Sequence, residues 1–356
     1  MTKLLIIDLS PVMGGAQQSM LALIQKLQER NYDLFLFSSS DEFCKRAENF
    51  GIAVYKSNAS MWTKSVKGLM EAGVDTIQFR KWLKDFRATN HVDVFYANGI
   101  HAGLLASMSI DSSDKLIFHH RDLLCPQTLL KPVLKRADHT IIISKFLMEE
   151  LPVEARCSQI YNGFDYDLIV ELAAMETIYY DSVTVVLIAD MAEWKRHELF
   201  IRAFAIACQD SNMDACIIGG PRNEQDAQYF EKLKILVNEL KLEKAIHFTG
   251  HIENPYPRLK AASLLCSVAD NEPFGRTMIE ALVLDVPVLS AGGGAAEEIL
   301  DCDGGRICKD DINSLAMAMC EQISQPVHLT KDWHKRFSID HHVDQIIEQI
   351  QLLDVA

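Results

Sequence analysis

Several features that indicate other classes of protein are missing from this sequence of 356 residues. Its nine cysteines include no Cys-x-x-Cys pair, and their number is odd. No stretch reaches the roughly 18 apolar residues that a membrane-spanning helix needs. We therefore expect reduced cysteines in the core of a cytoplasmic protein.

An excess of positive charge is missing too. The chain has 35 lysines and arginines against 49 aspartates and glutamates, a formal net charge of −14. This balance argues against a general nucleic-acid binder, because neutralisation of phosphates dominates such binding. The early apolar run at residues 3–9 is interrupted by Asp8, so we expect a strand there rather than a signal peptide.

The dinucleotide fingerprint Gly-x-Gly-x-x-Gly is also absent at the first glycine turn, although the surrounding pattern is clear. An apolar run at residues 3–9 is followed by Gly14-Gly15 and then by helical periodicity over residues 18–27. Units of strand, turn and helix recur along the chain. The pattern predicts an α/β protein with parallel sheets, and the length suffices for two domains.

One stretch, residues 263–294, indicates a function. Its apolar start predicts a buried strand, and Gly275 stands where the next helix begins. A helix start presents backbone N–H groups to an anion, and a glycine lets a phosphate approach them closely. Glu272 and Glu280 flank this turn, and carboxylates accept hydrogen bonds from sugar hydroxyls. The combination predicts a nucleotide-sugar site; the alternative is the strand, glycine and helix of any α/β protein.

The same stretch resembles a known signature. Glu-Pro-Phe-Gly-x4-Glu-Ala begins at Glu272, and Pro287-Val288, Gly292–Gly294 and Glu298-Ile299 follow it. The pattern is similar to the Glu-x7-Glu signature of the family-four retaining glycosyltransferases. This resemblance implies the GT-B architecture, in which two Rossmann-like domains face each other across a cleft.

The resemblance also implies domain bounds. Residues 1–165 are expected to form an acceptor-binding domain, on which a C-terminal helix at about 335–356 packs back. Residues 181–334 are expected to form the nucleotide-sugar-binding domain, with the crossing between the domains at 165–180.

Site residues are carried over by the same resemblance, most of them at the carboxyl ends of predicted strands. The implied catalytic residues are His120, Glu272 and Lys195. The implied donor-binding residues are Gly15, Asn162, Lys195, Arg196, Gly219, Glu272, Pro273, Phe274, Gly275, Arg276, Thr277 and Glu280. The implied acceptor-side residues are Gly14, Asn98, His119 and Arg121. His120 fits the family's histidine better than His119 by strand register; the alternative is that each is a structural turn residue.

One position departs from the family pattern. The family has an arginine five residues before the lysine that matches Lys195, and both pair with the diphosphate; here Asp190 stands in its place. Either Arg196 supplies the missing charge, or Lys195 and backbone N–H groups hold the diphosphate alone.

Residues 56–87 combine basic and aromatic side chains. Phe79, Trp82, Leu83 and Phe86 have the spacing of one helix face. One interpretation is an ordinary surface helix packed on the sheet. The other is that residues 79–87 dock on an anionic membrane surface.

The predicted function is transfer of a sugar, with retention, from a UDP- or GDP-sugar to a glycan or lipid-linked acceptor in cell-surface polysaccharide or glycolipid synthesis. No metal or other cofactor is expected, and the expected location is the cytoplasm, peripheral on the inner face of the membrane. One alternative is a nucleotide-sugar-binding subunit without its own activity. Another is a sugar-nucleotide epimerase of the same architecture, which would convert the donor without an acceptor.

Overall fold

A computed structural model of the chain describes residues 1–59, 62, 66–123, 125–149, 151–152, 155–209, 212–300, 305–326 and 333–355. The chain divides into two compact units, one of residues 1–164 with 336–356 and the other of residues 165–335. Among the described cysteines no disulfide forms, and Cys302 lies outside the described residues.

The first unit is a parallel sheet with helices packed on it. Its strands are β1 Lys3–Asp8, β2 Asp33–Ser38, β3 Ala53–Lys56, β4 Val94–Asn98, β5 Lys115–His120, β6 His139–Ile142 and β7 Cys157–Gln159. Its helices up to this point are α1 Gly15–Glu29, α2 Asp41–Glu48, α3 Val66–Arg87, α4 Ile100–Ser109, α5 Gln127–Arg136 and α6 Lys145–Met148. Within the described residues the strand order is β3-β2-β1-β4-β5-β6-β7. Every pair is parallel, so the carboxyl ends of all these strands lie at one edge.

The second unit repeats this design. Its strands are β8 Val183–Ile188, β9 Met213–Ile218, β10 Ile246–Gly250, β11 Leu264–Ser267, β12 Val288–Ser290 and β13 Arg306–Ile307. Its helices are α7 Tyr166–Ala174, α8 His197–Ala207, α9 Glu224–Glu239, α10 Tyr256–Ala261, α11 Arg276–Val283, α12 Ala296–Leu300 and α13 Ile312–Ser324, with a 3₁₀ turn at Glu193–Lys195. The described strands pair in parallel in the order β10-β9-β8-β11-β12-β13. The predicted fold class, two Rossmann-like α/β units, is confirmed.

The end of the chain returns to the first unit. Helix α14 spans Trp333–Phe337, and α15 spans Ile339–Val355 and packs against α1. Its residues Val343, Ile346 and Ile350 are fully buried with the core residues of β1 and α1. The spacing of these three residues is the apolar stripe of an amphipathic helix, so packing on the sheet explains the sequence pattern.

The crossing expected at residues 165–180 lies within the second unit. The Asp165 carboxylate accepts a hydrogen bond of 3.0 Å from the backbone N–H of Leu168 and so caps α7. Helix α7 then packs against α10 and α11. The second compact unit thus begins at residue 165 and includes α7.

Helix α3 turns its aromatic stripe inward. Phe79, Leu83 and Phe86 are at most 5% exposed, and the Trp82 ring lies 4.5 Å from that of Phe37 on β2. This face is part of the core. The sheet therefore covers the aromatic stripe, which is not exposed for insertion into a membrane; docking of residues 79–87 on an anionic surface stays a prediction.

The opposite face of α3 is exposed and carries a second line of residues. Met70, Val74 and Ile77 are 68%, 51% and 69% exposed. Lys81 and Lys84, both exposed, continue the same line at helical spacing. We call these five residues the outer stripe. None of the helices in the described part of the chain is long and apolar enough to span a bilayer.

Candidate functional site

The turn before α11 has the geometry expected of a helix that meets an anion. Gly275 is the residue before the helix and has φ +85°, a left-handed conformation. A Cβ at this position would lie 2.1 Å from the Cε atom of Met278, so only glycine fits without a shift. The first turn of α11 therefore begins directly at the glycine, with its backbone N–H groups at the positive end of the helix dipole.

Two predicted catalytic residues of the second unit are in direct contact. The Lys195 Nζ atom donates a hydrogen bond of 2.6 Å to Glu272 Oε2. The two side chains are only 17% and 16% exposed. Lys195 ends the 3₁₀ turn that follows β8, and Glu272 follows β11, the neighbouring strand. Parallel pairing thus brings together two residues that are far apart in sequence.

The glycine run after β12 holds the backbone of Glu272. Gly294 has φ +60°, and a Cβ there would lie 2.1 Å from the carbonyl oxygen of Glu272. The same carbonyl accepts a hydrogen bond of 2.8 Å from the N–H of Ala295. The glycines that follow the strand are thus explained by close approach of two backbones, which positions Glu272.

Glu280 is the most deeply buried carboxylate of this site. It is 5% exposed, and its Oε1 atom accepts a hydrogen bond of 3.1 Å from Arg276 Nη2, one turn earlier. The remaining predicted residues of this stretch lie around the turn, with Phe274 buried and both Pro273 and Thr277 half-buried.

The departure at Asp190 is accompanied by an arginine from the next loop. Asp190 Oδ2 lies 2.8 Å from Arg222 Nη2, in the loop after β9. The loops meet because Gly219, at φ +145°, has no Cβ, which would otherwise lie 1.8 Å from the Ala189 carbonyl oxygen. Sequence reasoning missed Arg222, since nothing in its spacing connects it with Asp190.

Arg196, the other candidate for the missing charge, has a partner of its own. It lies at φ +56° before α8, and its Nη1 atom is 2.6 Å from Asp310 Oδ1. Its charge is therefore partly neutralised. The two alternatives for holding a diphosphate remain predictions.

The first unit gathers its predicted residues at the carboxyl edge of its sheet. Asp8, Asn98 and His119 are in register on the neighbouring strands β1, β4 and β5. The Asp8 carboxylate accepts hydrogen bonds of 2.6 Å from Asn98 Nδ2 and 2.9 Å from Gln17 Nε2. Burial raises the pKa of Asp8 above its ordinary value, and these hydrogen bonds oppose that rise.

The two glycines of the first turn sit at the start of α1. The N–H of Gly14 donates a hydrogen bond of 3.1 Å to Gln17 Oε1, and Gly15 is the exposed first residue of the helix. Because Gln17 also bonds Asp8, the turn is tied to the end of β1. Gly15 and Asn162 belong to the first unit, whereas the other predicted donor-binding residues belong to the second.

His119 and Arg121 form a buried polar cluster. His119 Nδ1 lies 2.6 Å from the Tyr96 hydroxyl and 3.2 Å from Arg121 Nη2. Arg121 Nη1 donates to Asn162 Oδ1 at 2.5 Å, and the Ser19 hydroxyl donates to the same oxygen. Since arginine only donates, His119 Nδ1 is an acceptor and the ring is neutral. Burial and the nearby Arg121 charge hold the pKa of His119 well below its ordinary value.

His342 adds a residue that sequence reasoning did not assign to this cluster. Its Nδ1 atom donates a hydrogen bond of 2.6 Å to the carbonyl oxygen of Tyr161, and its ring lies 6.3 Å from that of His119. Burial and the Arg121 charge lower the pKa of His342 to about 3. Its position on α15 explains why strand-end reasoning missed it.

His120 differs from its neighbour. It is fully buried, and neither ring nitrogen has a hydrogen-bond partner among the described residues. Burial lowers its pKa, while the Asp122 charge acts in the opposite direction. A buried imidazole with unmet hydrogen-bonding capacity is uncommon in proteins.

Comparison with known proteins gives a family match for the second half of the chain. Residues 172–338 match the family model of glycosyl transferases group 1. A stretch of 130 residues, 33% of this chain, is 29% identical to a GDP-Man:Man(3)GlcNAc(2)-PP-Dol alpha-1,2-mannosyltransferase of Neurospora crassa, of which it covers 23%. The chain thus spans about a quarter of the length of that curated relative.

Solved structures show the same fold over the whole chain. Anabaena HepE, crystallised with UDP and glucose, has a TM-score of 0.78 at 22% identity and covers 99% of this chain and 100% of its own. Sucrose-phosphate synthase from Thermosynechococcus elongatus has a TM-score of 0.81 at 16% identity, with full coverage of both chains. The group 1 match over residues 172–338 confirms the resemblance seen in the sequence. The solved structures show that the chain as a whole has the GT-B fold.

Proposed function

We propose that this protein transfers a sugar, with retention, from a nucleotide sugar to a glycan or lipid-linked acceptor. The observation that carries the proposal is the contact of Lys195 with Glu272 beside the glycine turn of α11. A cation, a carboxylate and backbone N–H groups lie together there. These are the groups that a sugar diphosphate requires.

Each group has a distinct task in the proposed reaction. Lys195 and the N–H groups after Gly275 stabilise the negative charge that develops on the leaving diphosphate. Glu272 accepts hydrogen bonds from the donor sugar, and Glu280 accepts them from the ribose. The bond from the anomeric carbon to the diphosphate breaks, a bond to the acceptor oxygen forms on the same face of the sugar, and the proton of the acceptor hydroxyl passes to the departing diphosphate.

His120 is proposed to bond a hydroxyl near the reacting carbon. Its buried ring nitrogens lack partners among the described residues, and its lowered pKa keeps the ring neutral at pH 7. A neutral imidazole is able both to accept and to donate a hydrogen bond. No metal or other cofactor has a part in the proposed reaction.

The donor is proposed to be a UDP- or GDP-sugar. The HepE structures contain UDP with glucose, or UDP-glucose, while the curated relative is named for GDP-mannose. The experiment is to measure release of nucleoside diphosphate from both kinds of donor, with and without glycan and lipid-linked acceptors. Glu272→Ala is the inactive control.

The same experiment separates the alternatives. A subunit without its own activity binds nucleotide but releases none from any donor. An epimerase changes the donor sugar in the absence of acceptor. Acceptor-dependent release, lost in Glu272→Ala, supports the transferase proposal against both.

A lipid-linked acceptor suits the outer stripe of α3. We infer that Met70, Val74 and Ile77 insert at an anionic membrane surface, with Lys81 and Lys84 on the lipid phosphates. The apolar residues are more than half exposed, and the cations extend the same line. Apolar insertion combined with basic side chains is the usual basis of interfacial helix binding.

A further inference from the structure

A cavity in the second unit lies beside the contact of Lys195 with Glu272 and shares Arg196 with the predicted donor-binding residues. Its volume is about 740 Å³, within the range of small-molecule sites. Its lining is polar and aromatic, and comes from the loops after β8, β9 and β11: Asp190, Ala192, Glu193, Trp194, Arg196, Arg222, Asn223, Gln225, Asp226 and Asp270. The lining residues do not include Lys195, Glu272 or Glu280.

Trp194 gives this cavity a flat apolar wall. The residue is 44% exposed, and the Nζ atom of Lys195 lies 3.9 Å from its ring centroid. Its carbonyl oxygen accepts a hydrogen bond of 2.9 Å from the N–H of Asp270, which fixes the loop. An exposed tryptophan held in place on a cavity wall offers a stacking surface for the C–H face of a ring.

The polar wall is fixed by contacts among its own members. Arg222 pairs with Asp190, and the N–H of Arg222 donates a hydrogen bond of 3.1 Å to Asp226 Oδ2. Asn223 Nδ2 donates to the same oxygen at 3.0 Å. Carboxylates that accept and guanidinium or amide groups that donate are thus held in a fixed array, which matches the hydroxyls of a sugar.

The charge of the lining is negative overall. Four carboxylates line it, from Asp190, Glu193, Asp226 and Asp270, against the two guanidinium groups of Arg196 and Arg222, a net charge of −2. Like charges repel, so the cavity disfavours an acidic sugar. A neutral sugar ring with several hydroxyls stacks on the aromatic wall and forms hydrogen bonds with the polar wall.

We propose that this cavity binds a neutral hexose unit of a glycan, stacked on Trp194. The binding of the hexose depends only on the residues that line the cavity, whatever reaction the protein catalyses. That the bound glycan is the acceptor of the reaction rests on the proposed function.

The test is saturation-transfer NMR on the full chain. The probes are methyl glycosides and disaccharides of glucose, galactose, mannose and N-acetylglucosamine, with methyl glucuronide as the acidic comparison. We expect at least one neutral probe to bind, and to bind more tightly than the glucuronide. Trp194→Ala should weaken it by about tenfold or more, the order expected for an aromatic contact. Ile235→Ala, at a 59% exposed position on α9 outside the cavity, is the matched control.

A second variant guards against an indirect effect, because Trp194 also touches Lys195. Gln225→Ala, at the exposed start of α9, should weaken the same probe without altering UDP or GDP affinity measured by calorimetry. The proposal is overturned if no neutral probe binds, if the glucuronide binds as well as the neutral sugars, or if both variants bind like the wild type. Failure of nucleotide binding with retained sugar binding would count against the proposed function alone.

Discussion

The ammonium group of Lys195 lies 2.6 Å from the carboxylate of Glu272, and the two residues are 77 positions apart in sequence. Both side chains are less than one-fifth exposed, so solvent screens their attraction only partly. Each charge therefore sets the electrostatic surroundings of the other. A substitution of one residue changes what the other offers to a diphosphate.

Opposite effects on nucleotide affinity are expected from the two residues. Lys195→Ala should weaken UDP or GDP binding by about 10- to 100-fold, the usual worth of a charge-assisted hydrogen bond. Glu272→Gln should leave that affinity unchanged or raise it, since Lys195 then lacks its counter-charge, while turnover falls. Calorimetry and steady-state kinetics measure the two quantities separately. Equal loss of affinity in both variants would contradict this division of roles.

Glu280 is predicted to act through the ribose. Glu280→Ala should weaken nucleotide binding by about 1–3 kcal/mol, because ribose hydroxyls lose their acceptor. The same loss is expected when wild-type protein is titrated with 2′,3′-dideoxy-UDP, and combining the two changes should add little. Full additivity would place Glu280 away from the ribose.

Gly294, whose backbone lies against that of Glu272, allows a test of how Glu272 is positioned. Gly294→Ala forces a Cβ against the Glu272 backbone at a positive φ, so we expect about 2–4 kcal/mol of destabilisation and a large loss of turnover. Gly51→Ala is the matched control, since Gly51 has φ +79° with no atom within 4 Å of its Cβ position. It should cost only about 1–2 kcal/mol of backbone strain and leave turnover intact. Urea unfolding and donor turnover of both variants check this.

The buried histidines predict a pH dependence of stability. The pKa of His342 is about 3 and that of His197 about 4 in the folded protein, both mainly lowered by burial, against about 6.5 in the unfolded chain. Between those values the unfolded chain binds more protons, so the free energy of unfolding falls as pH drops below 6.5. Each such histidine contributes about 1.4 kcal/mol per pH unit.

The variant His342→Asn tests this contribution directly. It keeps a donor for the Tyr161 carbonyl but cannot be protonated, so its stability should fall less steeply between pH 6 and 5. Its unfolding at pH 8, where histidine is neutral in both states, measures the packing cost separately. An unchanged slope would mean that folded His342 is charged.

The outer stripe predicts binding to anionic vesicles. Ile77→Asp places a negative charge among Met70 and Val74, so co-sedimentation with phosphatidylglycerol vesicles at low salt should fall about tenfold. Ile235→Asp, on α9 of the second unit, is the control for the same change at a similar exposure. Failure of the wild-type protein to sediment with these vesicles would refute membrane docking.

Sequence reasoning predicted the parts of the fold that local pattern determines. Strand runs such as Leu4–Ile7 are fully apolar because both faces of a parallel sheet are buried. The Glu272 to Glu280 spacing was readable because a strand, a glycine and a helix occur consecutively. Contacts between loops were not readable: the Asp190–Arg222 pair depends on the order of strands in the sheet.

The membrane hypothesis shows a second limit of predicting structure from the sequence pattern. Helix α3 has apolar residues on two faces, and periodicity alone does not say which face meets the sheet. The larger aromatic face, with Phe79 and Phe86, is the one buried in the core, because its burial removes more apolar surface from water. The smaller face, with Met70 and Ile77, is exposed to solvent.

Helix α15 has a consequence for how the chain folds during synthesis. It supplies Val343, Ile346 and Ile350 to the core of the first unit, whose strands are all synthesised earlier. It also supplies His342 to the polar cluster beside Arg121. While the ribosome is still making residues 165–335, the earlier half has a sheet with part of one face uncovered. The second unit, continuous in sequence, is able to fold before the first is complete. The half that emerges first is therefore the last to complete its core.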